Sequence, residues 1–169
     1  MLYVTRKSWI ELRDRLAQVE KQVRIDMADE IKRAAGFGDF SENAELDAAR
    51  EKQQILTLEV RRLREKLSQV EIIDDLNIDA SRVTIGTAVT LYDHGQQEEI
   101  KWTILGEEDS NPSGGVISYQ SPLARGLMGK EEGDEVTVQL PGGNKEFEIV
   151  SVEPAEIAPP DAPAGDHQR

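Results

Sequence analysis

Two runs of apolar residues, each spaced alternately four and three apart, decide most of what this chain can become. Leu12, Leu16, Val19 and Val23 follow a 4-3-4 spacing, and Leu56, Val60, Leu63, Leu67 and Val70 follow 4-3-4-3. That is the seam of a coiled coil, with charged residues of both signs filling most positions between. No proline occurs before Pro112, so nothing interrupts either helix. The pattern predicts one helix over about residues 6–35 and a second over about 42–75. At 1.5 Å per residue each arm is roughly 45 Å long. The turn between them, at Gly36–Asn43, is so short that only an antiparallel hairpin can form. Near it Ala34, Ala35, Ala44, Ala48 and Ala49 predict a slender tip, because small side chains let two backbones approach closely.

From Val83 the apolar period changes to two. Val83, Ile85, Ala88, Val89 and Leu91 lead into the turn Asp93-His94-Gly95-Gln96, followed by Ile100, Trp102, Ile104 and Leu105. Val116 to Tyr119, and a last pair around the turn Pro141-Gly142-Gly143-Asn144, complete the strands of an antiparallel sheet. Ser121 caps a short predicted helix whose first turn accepts Pro122. The expected class is therefore α+β. A hairpin occupies 1–78 with its tip at 36–43, a small sheet domain occupies 79–153, and residues 154–169 form a tail without periodicity.

Aromatics are 5 % of the chain and charged residues 31 %, lean for one large core and ordinary for a coiled coil plus a small domain. The absence of cysteine excludes a disulfide frame or thiolate metal site. No apolar run approaches a membrane span and the N-terminus lacks a signal-peptide pattern, so a cytoplasmic protein is expected. The net charge of -13 is uneven. Residues 1–78 carry 14 Lys+Arg against 16 Asp+Glu, and the rest carry 6 against 17. The second half should be repelled by free nucleic acid, while basic clusters such as Arg61-Arg62-Leu63-Arg64 could still meet a phosphate backbone.

The turn carries more than a connection needs. Asp39 and Glu42 stand three apart, with Phe37 and Phe40 beside them. Asp39-x-x-Glu42 fits a capping box, and Ser41 is a rival N-cap that would leave Asp39 free. The alternative is metal chemistry. Magnesium is commonly held by one or two carboxylates, with water and substrate phosphate completing the shell. Two acids on a slender tip could supply part of such a shell inside a partner's active site.

Gly38-Asp39-Phe40-Ser41-Glu42-Asn43-Ala44-Glu45, with Asp47-Ala48-Ala49-Arg50-Glu51, closely resembles the tip signature of the bacterial Gre transcript-cleavage factors. Ser121-Pro122-Leu123-Ala124-Arg125-Gly126-Leu127 with Gly129-Lys130 resembles a second signature of that family. The resemblance covers about residues 5–153, and the acidic balance is more like the GreA branch than the GreB branch. It implies a factor that binds backtracked RNA polymerase, its FKBP-like domain docking at the secondary channel and its coiled coil entering. Asp39 and Glu42 would then be catalytic helpers that share a magnesium ion with the polymerase, whose own site cleaves the RNA 3′ segment. The factor would be no enzyme alone. The resemblance places Phe40, Ser41 and Asn43 in support of the tip, Arg50 and Lys52 against the nascent RNA, and Pro122, Leu123 and Arg125 at the docking loop. It implies a monomer with no stably bound metal and no membrane partner.

Arg50 and Lys52 also fit a solvated helix face paired with acids, and Leu123 and Leu127 equally fit a sheet core. Leu46 stands where the family commonly has an aromatic. An alternative function on the same scaffold is a channel-occupying inhibitor of RNA polymerase. The Asp-x-x-Glu spacing favours cleavage, because the inhibitors resembling this family carry a denser run of tip acids.

Overall fold

The computed structural model describes residues 1–36 and 40–159, with the backbone alone at Ala34 and residues 40–43. The described chain forms two compact units: Met1–Trp9 with the chain from Val70 onward, and Ile10–Gln69. The unit holding the sheet thus takes in the first nine residues and residues 70–78, which the sequence reading had placed with the hairpin.

In the helical unit, α1 (Arg6–Lys21) runs through a π-helical segment, Gln22–Asp26, into α2 (Met27–Ala35), and α3 (Phe40–Ser68) returns beside them. Val19, Val60 and Leu63 are buried in the seam, with Leu12, Leu16, Val23 and Leu56 packed against them. The expected hairpin forms, but its first arm is not one uninterrupted α-helix. Val19, Val23, Met27 and Ile31 step by four. Three such steps drift about 120° around an ideal helix. The wider π turn absorbs the surplus, and Met27 arrives 2 % exposed. Of the small residues, Ala49 lies buried while Ala35, Ala44 and Ala48 face solvent. The side chain of Ala34 lies outside the described residues.

The second arm ends at Ser68, about two turns before the expected 75. Val70–Ile72 forms strand β2, which pairs in parallel with β1 (Leu2–Val4), Val4 opposite Ile72. The apolar spacing continues through Leu67 and Val70, which hides the change. The β-branched residues Val70 and Ile72 favour the extended backbone instead. Ile73 then opens a single 3₁₀ turn, Ile73–Asp75, and is 1 % exposed.

The main sheet has five strands: β3 (Thr87–Asp93), β4 (Glu98–Leu105), β5 (Val116–Ser118), β6 (Glu135–Leu140) and β7 (Gly143–Pro154), in the order β5-β4-β3-β7-β6. All neighbours are antiparallel except β4 and β5. Thr90 faces Ser151 and Leu91 faces Ile149, so Val150 is an extra residue that bulges β7 and curls the sheet. Val89, Leu91, Ile104 and Ile149 bury one face, and α4 (Pro122–Leu127) covers it with Ala124 and Leu127. Gly126 allows the close approach: a Cβ there would sit 2.8 Å from both Val138 methyls. Among the described residues no helix is long and apolar enough to cross a membrane.

Asp93 organises the β3–β4 turn. Its Oδ1 accepts the amides of Gly95 at 2.8 Å and Gln96 at 3.1 Å, and its Oδ2 accepts Lys145 Nζ at 3.2 Å. Burial alone would raise this carboxyl, but the Gln96 amide, the Lys145 ammonium and the Gly95 amide favour its charge and leave it below the ordinary 3.8. A carboxyl depressed in this way contributes stability that is present above 3.8 and is lost as pH falls through its folded value. Asp93→Asn is expected to melt below the wild type at pH 7, with the gap closing as melts are repeated below 3.8.

Gly106 admits no side chain, because a Cβ there would fall 1.8 Å from the carbonyl oxygen of Tyr3. Gly106→Ala is therefore expected to displace β1 and cost about 3 kcal/mol or more in a urea-unfolding measurement. A loss under about 1 kcal/mol would show that β1 yields without cost.

Candidate functional site

The closed end of the hairpin is the first candidate. α2 ends at Ala35 and α3 starts at Phe40, leaving a four-residue link at 36–39. Helix α3 begins slightly ahead of the expected 42, so Phe40, Ser41, Glu42 and Asn43 belong to its first turn and not to the loop. Asp39 lies outside the described residues, as do the side chains of Phe40, Ser41, Glu42 and Asn43. Around them, Glu45, Asp47, Ala48 and Arg50 face solvent and Leu46 is half-buried.

Ion pairs clamp the two arms. Arg64 donates to Glu20 at 2.6 Å, Arg15 to Glu59 at 2.9 Å, and Lys52 Nζ lies 3.5 Å from Glu30 Oε2. Glu20 with Arg64 and Glu30 with Lys52 run in opposite chain directions, the signature of antiparallel arms. Exposed pairs of this kind contribute a few tenths to about 1 kcal/mol each. Lys52, expected to meet RNA or to pair along its own helix, instead reaches across the hairpin. Arg50 is exposed, and no carboxylate among the described residues pairs with it. It is the freer of the two cations.

The second candidate is the start of α4. Ser121 Oγ accepts the Ala124 amide at 3.2 Å, and Pro122 occupies the first turn, as the sequence pattern predicts. The helix divides the three expected docking residues. Pro122 and Arg125 face solvent, whereas Leu123 packs half-buried against the sheet core. Among the described residues Arg125 has no ion-pair partner.

No group of three or more His, Asp or Glu among the described residues is arranged to hold a metal ion. His94 packs edge-on against Tyr92, with ring centroids 5.3 Å apart.

Residues 2–72 match the family described as "Transcription elongation factor, N-terminal", and residues 78–154 match "Transcription elongation factor, GreA/GreB, C-term". The chain belongs to the GreA/GreB family of transcription elongation factors. Among its relatives, the transcription elongation factor GreA of Desulfotalea psychrophila is 38% identical over 148 residues, 88% of this chain and 92% of that one. GreA of Nitratiruptor sp. is 43% identical over 132 residues, 78% of this chain and 81% of that one. A solved GreA/GreB factor from Nitrosomonas europaea is 30% identical, covering 55% of this chain and 78% of that one at a TM-score of 0.39.

One set of residues escaped the sequence reading of this GreA/GreB member. Thr5 caps α1, its Oγ1 accepting the Ser8 amide at 3.3 Å, and Asp109 reaches both residues from the sheet. Thr-x-x-Ser ahead of an apolar heptad was a visible cap signal. The distant carboxylate was not.

Ser121→Ala is expected to cost about 1 kcal/mol in urea unfolding, the usual loss of an N-cap. Arg125→Ala, at an exposed position, is expected to stay within about 0.5 kcal/mol of the wild type.

Proposed function

We propose that this chain acts on RNA polymerase, entering its secondary channel with the closed end of the hairpin and stimulating cleavage of a backtracked RNA 3′ segment. The observation that carries this reading is the sequence pair Asp39-x-x-Glu42, its second member in the first turn of α3, in a chain of the GreA/GreB family.

The donor set fits a shared magnesium. Two carboxylates satisfy the protein portion of a typical magnesium shell and leave positions for water, phosphate and a partner's ligands. Asp39 and Glu42 would hold the ion jointly with the polymerase. Bound there, magnesium supplies a Lewis acid that stabilises charge on the phosphodiester oxygens. The chain contributes these carboxylates and their placement, and the polymerase performs the hydrolysis. Arg50, exposed on α3 and without an ion-pair partner among the described residues, is suited to a phosphate of the extruded RNA. Lys52 serves first to hold Glu30 and so keep the arms together near the tip. Phe40, Ser41 and Asn43, in the first turn of α3, would support the tip. Pro122 and Arg125 present the docking surface of the sheet unit, with Leu123 fixing α4 from below.

The test uses halted, backtracked elongation complexes with labelled RNA. Asp39→Ala and Glu42→Ala are each expected to lower the cleavage rate by about 100-fold or more, the usual loss when a group stabilising transition-state charge is removed. Binding should remain within about twofold, because the docking residues are elsewhere. Pro122→Ala should weaken binding, with cleavage recovered at high factor concentration. Normal cleavage by either acid variant would remove that residue from the metal. Wild-type factor that slows nucleotide addition without cleavage would favour a channel-occupying inhibitor.

A further inference from the structure

We infer that Asp109 is a positioning residue for the proposed cleavage function, acting through the first turn of α1. This rests on the functional reading above. Asp109 lies between β4 and β5, more than a hundred residues from the groups it holds. Its Oδ2 accepts the Thr5 amide at 2.9 Å, and its Oδ1 accepts the hydroxyls of Thr5 and Ser8, each at 2.5 Å. Asp74 adds a fourth bond, accepting the Arg6 amide at 2.7 Å, and Asp75 pairs with the Arg6 guanidinium.

These contacts replace something α1 lacks. The first turn of α1 contains no acidic residue. The free amides and positive dipole end of a helix start call for negative charge. Here the charge comes from the sheet unit. The contact is also enclosed: Thr5 is 5 % and Ser8 9 % exposed. Three residues before Asp109, the backbone of Gly106 lies so close to Tyr3 that no side chain fits. The Gly106–Asp109 segment therefore holds residues 3–8 by packing and by hydrogen bonds together.

Removing the Asp109 carboxylate leaves two buried hydroxyls and an amide without an acceptor, and the helix start without its charge. Helix α1 continues from this turn into the arm that ends at the tip. Productive geometry in a catalytic centre tolerates little displacement, and an error of about 1 Å can cost about 100-fold in rate. A loosened root is therefore expected to act on the rate at saturation and not on docking, which lies at α4.

The experiment compares full-length wild type, Asp109→Ala, Asp109→Asn and the control Ile149→Val, which weakens the sheet core without touching α1. Amide hydrogen exchange of the free protein should show Thr5–Trp9 exchanging at least about tenfold faster in Asp109→Ala, with β3 and β7 unchanged. With backtracked complexes, the saturating cleavage rate should fall on the order of 10- to 100-fold while half-saturation stays within about twofold. Asp109→Asn, retaining one acceptor oxygen, should fall between. Ile149→Val should cleave at the wild-type saturated rate. Unchanged exchange at Thr5–Trp9, or a wild-type saturated rate in Asp109→Ala, would overturn the inference. An equal loss in Ile149→Val would overturn it by reducing the effect to general stability. Wild type without any stimulation would overturn the functional reading itself and the positioning role with it.

Discussion

A helix that must serve as a long arm needs a fixed beginning, and in this chain that beginning is a set of charge-assisted hydrogen bonds, those of Asp109 partly buried. Asp109 and Asp74 accept the Thr5 and Arg6 amides, and Asp109 also takes both hydroxyls at the helix start. A charged acceptor makes such bonds stronger than neutral ones. Their length in sequence matters as much as their strength. The Asp109 bonds close loops of about a hundred residues, so they form only when β4 and β5 are in place. The parallel pairing of β1 with β2 does the same for residues 2–4 and 70–72. Both ends of the hairpin's chain are thereby built into the sheet unit, though neither end contributes to the main five-stranded sheet.

Beyond its root, the hairpin is held by few apolar side chains and several exposed ion pairs. Val19, Val60 and Leu63 form a narrow seam. The pairs flanking it are individually weak and contribute more to register than to stability. Leu123 and Leu127 illustrate the opposite regime in the sheet unit, where burial fixes position and leaves Pro122 and Arg125 outside. The sheet's outward face is acidic. In the register of β4, β3, β7 and β6, Glu99, Tyr92, Glu148 and Glu135 lie side by side. Like charges directly opposite one another are unfavourable in a sheet. Such a face repels phosphate.

Periodicity made most of this visible. The 4-3 seams predicted the hairpin, the two-residue period predicted β3, β4, β6 and β7, and Ser121-Pro122 predicted the start of α4. The failures share one cause: they depend on partners distant in sequence. Val70–Ile72 continued a helical spacing, and only its pairing with Leu2–Val4 makes it a strand. The step of four from Val19 to Ile31 was readable, but its resolution as a π turn depends on the opposing arm. Lys52 has no acid three or four residues away on its own helix and takes Glu30 across the hairpin. The candidate tip was legible as a motif, Asp39-x-x-Glu42, and the family of the whole chain is the one that motif resembles. Its side-chain geometry lies outside the described residues.

In the proposed function Asp39 and Glu42 would complete a magnesium shell that the polymerase supplies in part. The measurement that reaches it most directly is the magnesium dependence of RNA cleavage in backtracked complexes, at saturating factor, for the wild type and for Glu42→Gln. If the carboxylates recruit the ion, the wild-type factor lowers the magnesium concentration for half-maximal cleavage, and Glu42→Gln returns it toward that of polymerase alone. Identical magnesium dependence for both, at different maximal rates, would contradict the account and assign the acids a role other than holding the metal.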